Sequence, residues 1–391
     1  MNGAESRERM IHARFRTLRA GLRAFRTRWG AFGAASALAL GAVALSPTAG
    51  FAVQAKLQIA PEFRRWTFER PRVEHRVDQS YVAADLEFQF DSGLDLAAGG
   101  NFVSTVHHEG DVTGNIDRLG ELRIRGEQRL LSDRLRVRAR AAFPLEEDGF
   151  LPREIRALRI LEIPQLEFPL ADAGISSHQE IELTGQVVRR RTLLAQLGIG
   201  LEERGSVQLR ETDLDFDPGG TLRLAGSVDH AVLRWIVHHG LIWERPGKSA
   251  LGGRDAFRNG ARITWSEGLA LHRPNAIWRA DVALLIGKMG ELFPGGALVE
   301  DPLRSGNRVR WRLSHERGLS WPIGVALTGT HYRGFAGTLG HSDWVTPSLR
   351  VGHRFGPGTV EATLDFSVGT VREGGSLGGV GARLGWRGGL Y

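Results

Sequence analysis

No cysteine occurs anywhere in the chain. That excludes a disulfide framework and a lipid anchor on an N-terminal Cys. Long apolar runs are equally scarce: after residue 55 there is no stretch of 18 or more apolar residues, so helical membrane spans are excluded there. Surplus charge is also missing once the leader is set aside. The chain carries 51 Lys+Arg against 44 Asp+Glu, but residues 1–55 hold eight of those arginines and only two acids, Glu5 and Glu8. The remaining 43 basic and 42 acidic residues nearly cancel, and a nucleic-acid partner inferred from the high pI is excluded. No phosphate-binding glycine loop stands between a strand and a helix, and no cofactor is implied.

What the leader does contain is ordered. An Arg-rich stretch ends at Arg28, Trp29 to Leu45 is uncharged, and Ser46-Pro47 and small residues follow. This is the layout of a secretory signal peptide spanning 1–55, with Val53 and Ala55 at the minus-three and minus-one positions. An uncleaved membrane anchor is the alternative, although the apolar run is short and rich in Ala and Gly. In either case the chain leaves the cytoplasm.

The stretch 119–143 carries the clearest pattern. Leu122, Ile124, Gly126, Gln128 and Leu130 alternate with Arg123, Arg125, Glu127 and Arg129; after Ser132-Asp133, Leu135, Val137, Ala139, Ala141 and Phe143 alternate with Arg134, Arg136, Arg138 and Arg140. Two period-two runs joined by a tight polar turn predict a β-hairpin with one apolar and one charged face. A soluble sheet would put the apolar face in a core. A membrane barrel would turn it to lipid and the arginines to the lumen.

The rest of the chain favours the barrel. Sustained helical periodicity is absent after Lys56, and sixteen runs read as strands: 57–70, 80–90, 94–106, 119–131, 134–143, 179–190, 193–203, 221–229, 232–244, 259–271, 276–288, 307–319, 322–333, 345–355, 358–370 and 377–388. Most are about 10 to 13 residues, the length of a tilted bilayer-spanning strand. Between them short turns alternate with longer segments at 71–79, 107–118, 144–178, 204–220, 245–258, 289–306, 334–344 and 371–376. Outer-membrane barrels have this asymmetry, short turns in the periplasm and longer loops outside. The expected fold is therefore an all-β, transmembrane, antiparallel up-and-down β-barrel of about sixteen strands, range 12–16, over residues 56–391. Each Arg at the lipid midplane costs roughly 2–4 kcal/mol, so the arginines of 134–143 must face inward.

On these hairpins the chain resembles Gram-negative outer-membrane β-barrel proteins, and in size the sixteen-stranded porin class. The GELRIRGEQRLL-SD-RLRVRARAAFPL stretch is similar to hairpins of the outer-membrane transporter group associated with aromatic-compound degradation operons. The resemblance implies outer-membrane localisation and contact with outer-membrane lipid, with the barrel-assembly machinery and with small solutes; a homotrimer is one assembly compatible with it. Two features depart from the porin pattern. Tyr391 is terminal but one position off the apolar parity of the last strand, and the Pro-Glu-Phe-Gly-Gly sequence of a porin constriction loop is absent.

The longest connection, 144–178, follows the fifth strand, where porins place a loop that folds into the pore. Glu146, Glu147, Asp148, Arg153, Arg156 and Arg159, with Glu154, Glu162, Glu167 and Asp172, are its candidate constriction charges; an outer loop or an extra hairpin are the alternatives. The candidate pore-lining residues are Arg123, Arg125, Arg134, Arg136, Arg138 and Arg140, with Glu180, Glu182 and Glu202. Rings of such charge select ions in a pore, and equally neutralise one another in a blocked barrel.

Enzyme chemistry has one weak signal, His341-Ser342-Asp343 in a long connection. Triads are set by spatial geometry, and adjacent residues rarely converge. The pairs His107-His108 and His238-His239 suggest metal, but neighbours on a strand point to opposite faces and cannot share one ion; no metal is expected. The sequence thus predicts a non-enzymatic channel passing small hydrophilic solutes, with a closed barrel acting as an anchor or assembly factor, or a rim lipid hydrolase, as alternatives.

Overall fold

A computed structural model of the chain describes residues 52–70, 73–145, 177–209, 214–293, 295–299, 306–318, 321–334, 341–356, 358–371 and 375–390. The first eleven strands are β1 (Ala52–Arg70), β2 (Val73–Phe90), β3 (Leu94–Glu109), β4 (Val112–Leu130), β5 (Leu135–Pro144), β6 (His178–Arg190), β7 (Leu193–Arg204), β8 (Val207–Leu209), β9 (Leu214–Asp217), β10 (Thr221–Val232) and β11 (Trp235–Pro246). The others are β12 (Lys248–Leu251), β13 (Arg254–Arg258), β14 (Arg262–Arg273), β15 (Ala276–Gly287), β16 (Gly290–Leu292), β17 (Leu298–Val299), β18 (Gly306–Arg317), β19 (Ile323–Arg333), β20 (His341–Phe355), β21 (Gly358–Val371) and β22 (Gly375–Leu390). Sixteen of them, all but β8, β9, β12, β13, β16 and β17, form a closed barrel of antiparallel neighbours; β22 closes the circle on β1, pairing Ile59 with Trp386 and Phe68 with Leu377.

Closure satisfies every strand edge, the condition for crossing a membrane with β-structure. The register carries a single parity around the ring. From Arg64 it passes to Gln79, Thr105 and Ile116, and at the far side from Asp281 to Arg312, Thr328, Thr346, Ser367, Gly379 and Trp66. This set faces inward. The opposite set, including Leu197 (61% exposed), Leu241, Leu313, Phe366 and Val368, is exposed on the outside. A surface so apolar, on a polar-filled barrel, is made for lipid.

Aromatics mark one edge of this band. Trp278 and Trp321, half-exposed at the short-turn end, stack on His315 and His353 with centroids 3.9 and 4.0 Å apart, and Trp235 stands beside the same end. An indole is apolar in its body and polar at its N–H, which suits the lipid–water boundary.

The structure departs from the sequence expectation in several places. Segments 71–79 and 107–118 are mostly strand: β2 and β3 pair out to His75 opposite Glu109, and β3 and β4 out to Glu109 opposite Val112. β4 also runs nine residues, 112–120, past Glu121, its last residue paired with β5. Here neither face meets lipid along the whole strand, so polar residues alternate with polar residues and the period-two signal fades. β11 begins three residues late, because Leu233 takes a left-handed φ of 56° in the turn before it, and β14 also begins three residues late, at Arg262. β1 starts at Ala52, inside the stretch read as leader, with Ala55 paired to Phe88. Parts of the connections 204–220, 245–258 and 289–306 form β8, β9, β12, β13, β16 and β17, a separate sheet in the order β17-β16-β13-β12-β9-β8. Arg258 and Glu291 bridge two of its strands at 2.5 Å.

Candidate functional site: the charged lumen

Two walls of different character line the inside. On the β2–β7 wall, positive and negative groups are matched in ladders. Arg123 donates to Asp85 at 3.2 Å, Arg125 to Glu87 at 3.1 Å, and Arg129 to Asp95 at 3.0 Å. Glu127 receives both Arg136 at 3.1 Å and Arg138 at 2.9 Å. Arg138 reaches on to Glu182 at 3.2 Å, Arg140 to Glu180 at 3.3 Å, and Arg204 to Glu202 at 2.8 Å. Period two on each strand puts these groups on one face, and the register aligns opposite signs across neighbours. These pairs are half-exposed and therefore contribute little stability each, about 0–1 kcal/mol; their main effect is to set the potential along the wall.

Of the sequence candidates, Arg123, Arg125, Arg136, Arg138, Arg140, Glu180, Glu182 and Glu202 occupy this inward ladder. Arg134 does not: it lies in the exposed turn before β5, where its N–H donates to the Leu131 carbonyl at 3.2 Å. It stands one residue before β5, and its carbonyl accepts from the Gln186 N–H of β6 at 2.7 Å. Glu146, Glu147, Asp148, Arg153, Arg156 and Arg159 fall outside the described residues, as do Glu154, Glu162, Glu167, Asp172 and Tyr391.

The opposite wall, built by β15, β18–β22 and β1, bounds a cavity of about 830 Å³. Seven arginines line it (Arg64, Arg279, Arg310, Arg312, Arg350, Arg383 and Arg387) against four acids (Asp281, Glu316, Glu361 and Asp365). Arg350 meets Glu316 at 2.8 Å and Arg387 meets Glu87 at 3.0 Å. Among the described residues, Arg279, Arg312 and Arg383 have no carboxylate within 4.0 Å. Hydroxyls of Thr328, Thr330, Thr346 and Ser367 fill the space between them. Sequence alone does not show that these arginines share one cavity, because that requires strands far apart in sequence to meet.

Toward the long-connection end of β1–β4 the inward face closes over apolar side chains interleaved with buried polar ones, Gln79, Thr105, His75 and His107. Phe68, Val77 and Val103 are fully buried, and Trp66 packs edge-on against Trp344 at 6.4 Å between centroids. The interior is filled there, and the open volume lies along the arginine-rich side.

The triad suggested by His341-Ser342-Asp343 is not formed. All three lie on β20; Ser342 faces inward and is buried, whereas His341 and Asp343 face outward. Asp343 instead pairs with Arg333 at 3.1 Å and with His331. His238 and His239 also diverge: His238 meets Asp229 inside at 2.7 Å, and His239 meets Glu267 on the outer face.

A closed sixteen-stranded ring, apolar outside, charged inside, with short turns at one end, fits one compartment. The chain is a bacterial outer-membrane β-barrel. Its place is the outer membrane of a Gram-negative cell. No protein-family model matches this barrel, and no curated protein does. Among solved structures it is similar to Pseudomonas aeruginosa OccK3 (OpdO), at 10% identity, TM-score 0.46, covering 86% of this chain and 96% of that one. It is also similar to P. aeruginosa OpdK solved with vanillate, at 9% identity, TM-score 0.44, covering 87% and 100%. P. aeruginosa OpdQ, at 7% identity and TM-score 0.46, is covered over 98% of its length by 86% of this chain.

Proposed function

We propose that the barrel is a passive channel for small hydrophilic solutes and that it favours anions. The observation that carries this reading is the arginine-rich side of the cavity, where seven arginines stand against four carboxylates. Arginine stays charged at any physiological pH and presents a fork of donors to a carboxylate or phosphate. An excess of guanidinium groups along a water-filled wall attracts anions, whereas the matched ladder on β2–β7 leaves little net field. The threonine and serine hydroxyls can replace part of a solute's hydration without holding it tightly, which suits passage.

Planar-bilayer recording of the refolded barrel tests this. Discrete channels with a reversal potential favouring chloride in a KCl gradient support the reading, and complete absence of conductance overturns it. A sealed barrel serving as an anchor is the competing reading, favoured by the buried Phe68, Val77 and Val103 on the inward face. That reading requires no conductance at all.

A further inference from the structure

We propose that His75, His107 and Glu109 form a site for a divalent cation of the zinc class. The three come from two paired strands. His75 on β2 lies directly opposite Glu109 on β3, and His107 stands two residues before Glu109, so all three project from the same, inward face. This resolves the difficulty with His107-His108: the partner of His107 is His75 across the ladder, and His108 points outward to Thr113 at 3.0 Å.

The placement is that of a built site. His75 and His107 are 4% and 2% exposed, and Phe68 lies flat against His75 with centroids 4.8 Å apart. The two imidazole planes differ by 8° with centroids 5.6 Å apart, so the rings meet edge to edge, His75 Nδ1 toward His107 Nε2 at 3.4 Å. That distance is long for an N–H···N hydrogen bond. It is close to the spacing between two ligand atoms around a tetrahedral zinc ion, about 3.4 Å for Zn–N bonds of about 2.0–2.1 Å. To converge on one ion, each ring swings by about 35° so that both lone pairs meet off the line joining them. One carboxylate oxygen of Glu109 completes a set whose ligand atoms all lie within 4.8 Å of one another. Glu109 is only half-buried and can close the remaining distance by a side-chain rotation. Two imidazoles and a carboxylate suit zinc or cobalt better than magnesium or calcium, which prefer all-oxygen shells. A fourth position stays open to water.

The test uses tag-free full-length barrel in detergent micelles, titrated with ZnCl2 by calorimetry and with CoCl2 by visible absorption. The expected result is one ion per chain, with the intense visible band of tetrahedral Co2+. Binding should be lost in His75→Ala and in His107→Ala, and retained in His108→Ala, its neighbour on the opposite face. Heat-modifiable gel migration shows whether each variant is folded. X-ray absorption on the zinc-loaded wild type needs no variant and should show two imidazole ligands. No ion uptake by the wild type, uptake unchanged in both His75→Ala and His107→Ala, or fewer than two imidazoles around the metal overturns the proposal.

Discussion

Arg387 and Glu87, 300 positions apart in sequence, meet at 3.0 Å across the inside of β1. Glu87 on β2 thereby holds Arg387 from β22, two strands away across the seam where the barrel closes, and at the same time receives Arg125 from β4 at 3.1 Å. One carboxylate thus offsets two guanidinium groups and separates the matched wall from the arginine-rich one. Glu87→Gln should leave the fold intact, because half-exposed pairs contribute about 0–1 kcal/mol each. It should also strengthen anion preference, read as a larger shift of reversal potential toward that of chloride, with unchanged gel mobility of the folded form.

The two walls predict unequal responses to charge reversal. Arg312→Glu inserts a negative group beside Asp281, its cross-strand neighbour, and should move ion selectivity strongly toward cations. The double variant Arg136→Glu/Arg138→Glu should shift it in the same direction. Unchanged reversal potentials in all of these variants would show that neither wall borders the conducting path.

Outward residues should respond to charge by depth in the membrane. Leu197 is 61% exposed on the apolar face, and Leu197→Arg should destabilise the barrel by about 2–4 kcal/mol if it lies near the midplane. Thr346→Arg, on the inward face, should cost much less, since the new charge enters water. Denaturant titration of barrels folded into liposomes measures both.

Between β4 and β5, Leu131, Ser132 and Asp133 all have left-handed φ values, 52°, 55° and 67°. Asp tolerates this region; a leucine side chain crowds the backbone there and costs roughly 1–2 kcal/mol. Leu131→Gly relieves that crowding but frees the unfolded chain, and the net gain should be under about 1 kcal/mol, seen as a higher denaturant midpoint.

Gly329 lies opposite Trp311, whose indole covers it so closely that a Cβ at 329 would fall 2.2 Å from a ring atom. Gly329→Val should push Trp311 off the sheet, destabilise the barrel by about 1–3 kcal/mol, and change the tryptophan emission of the folded protein.

The strands that cross lipid were legible because a membrane imposes a contrast: Leu135 to Phe143 reads cleanly, apolar on one parity and arginine on the other. Where β2, β3 and β4 rise beyond lipid, the same backbone carries Glu74, His75, Arg76, Val77 and Asp78, and hydropathy no longer distinguishes faces. The site was partly legible for the same reason. Arg136 and Arg138 announce their inward direction locally, while the sharing of one cavity by Arg64 and Arg383, or the meeting of His75 with His107, depends on pairings across the sheet and around the ring. Arg134 shows the limit of parity: the alternation runs through it, but β5 begins only at Leu135.

The nine residues of β4 beyond its last β5 partner, at about 3.4 Å per residue and a tilt of about 40°, carry the β3–β4 hairpin roughly 20 Å past Glu121. Because that hairpin is paired strand up to the turn at Gly110-Asp111, it gives a protease little slack chain to grip.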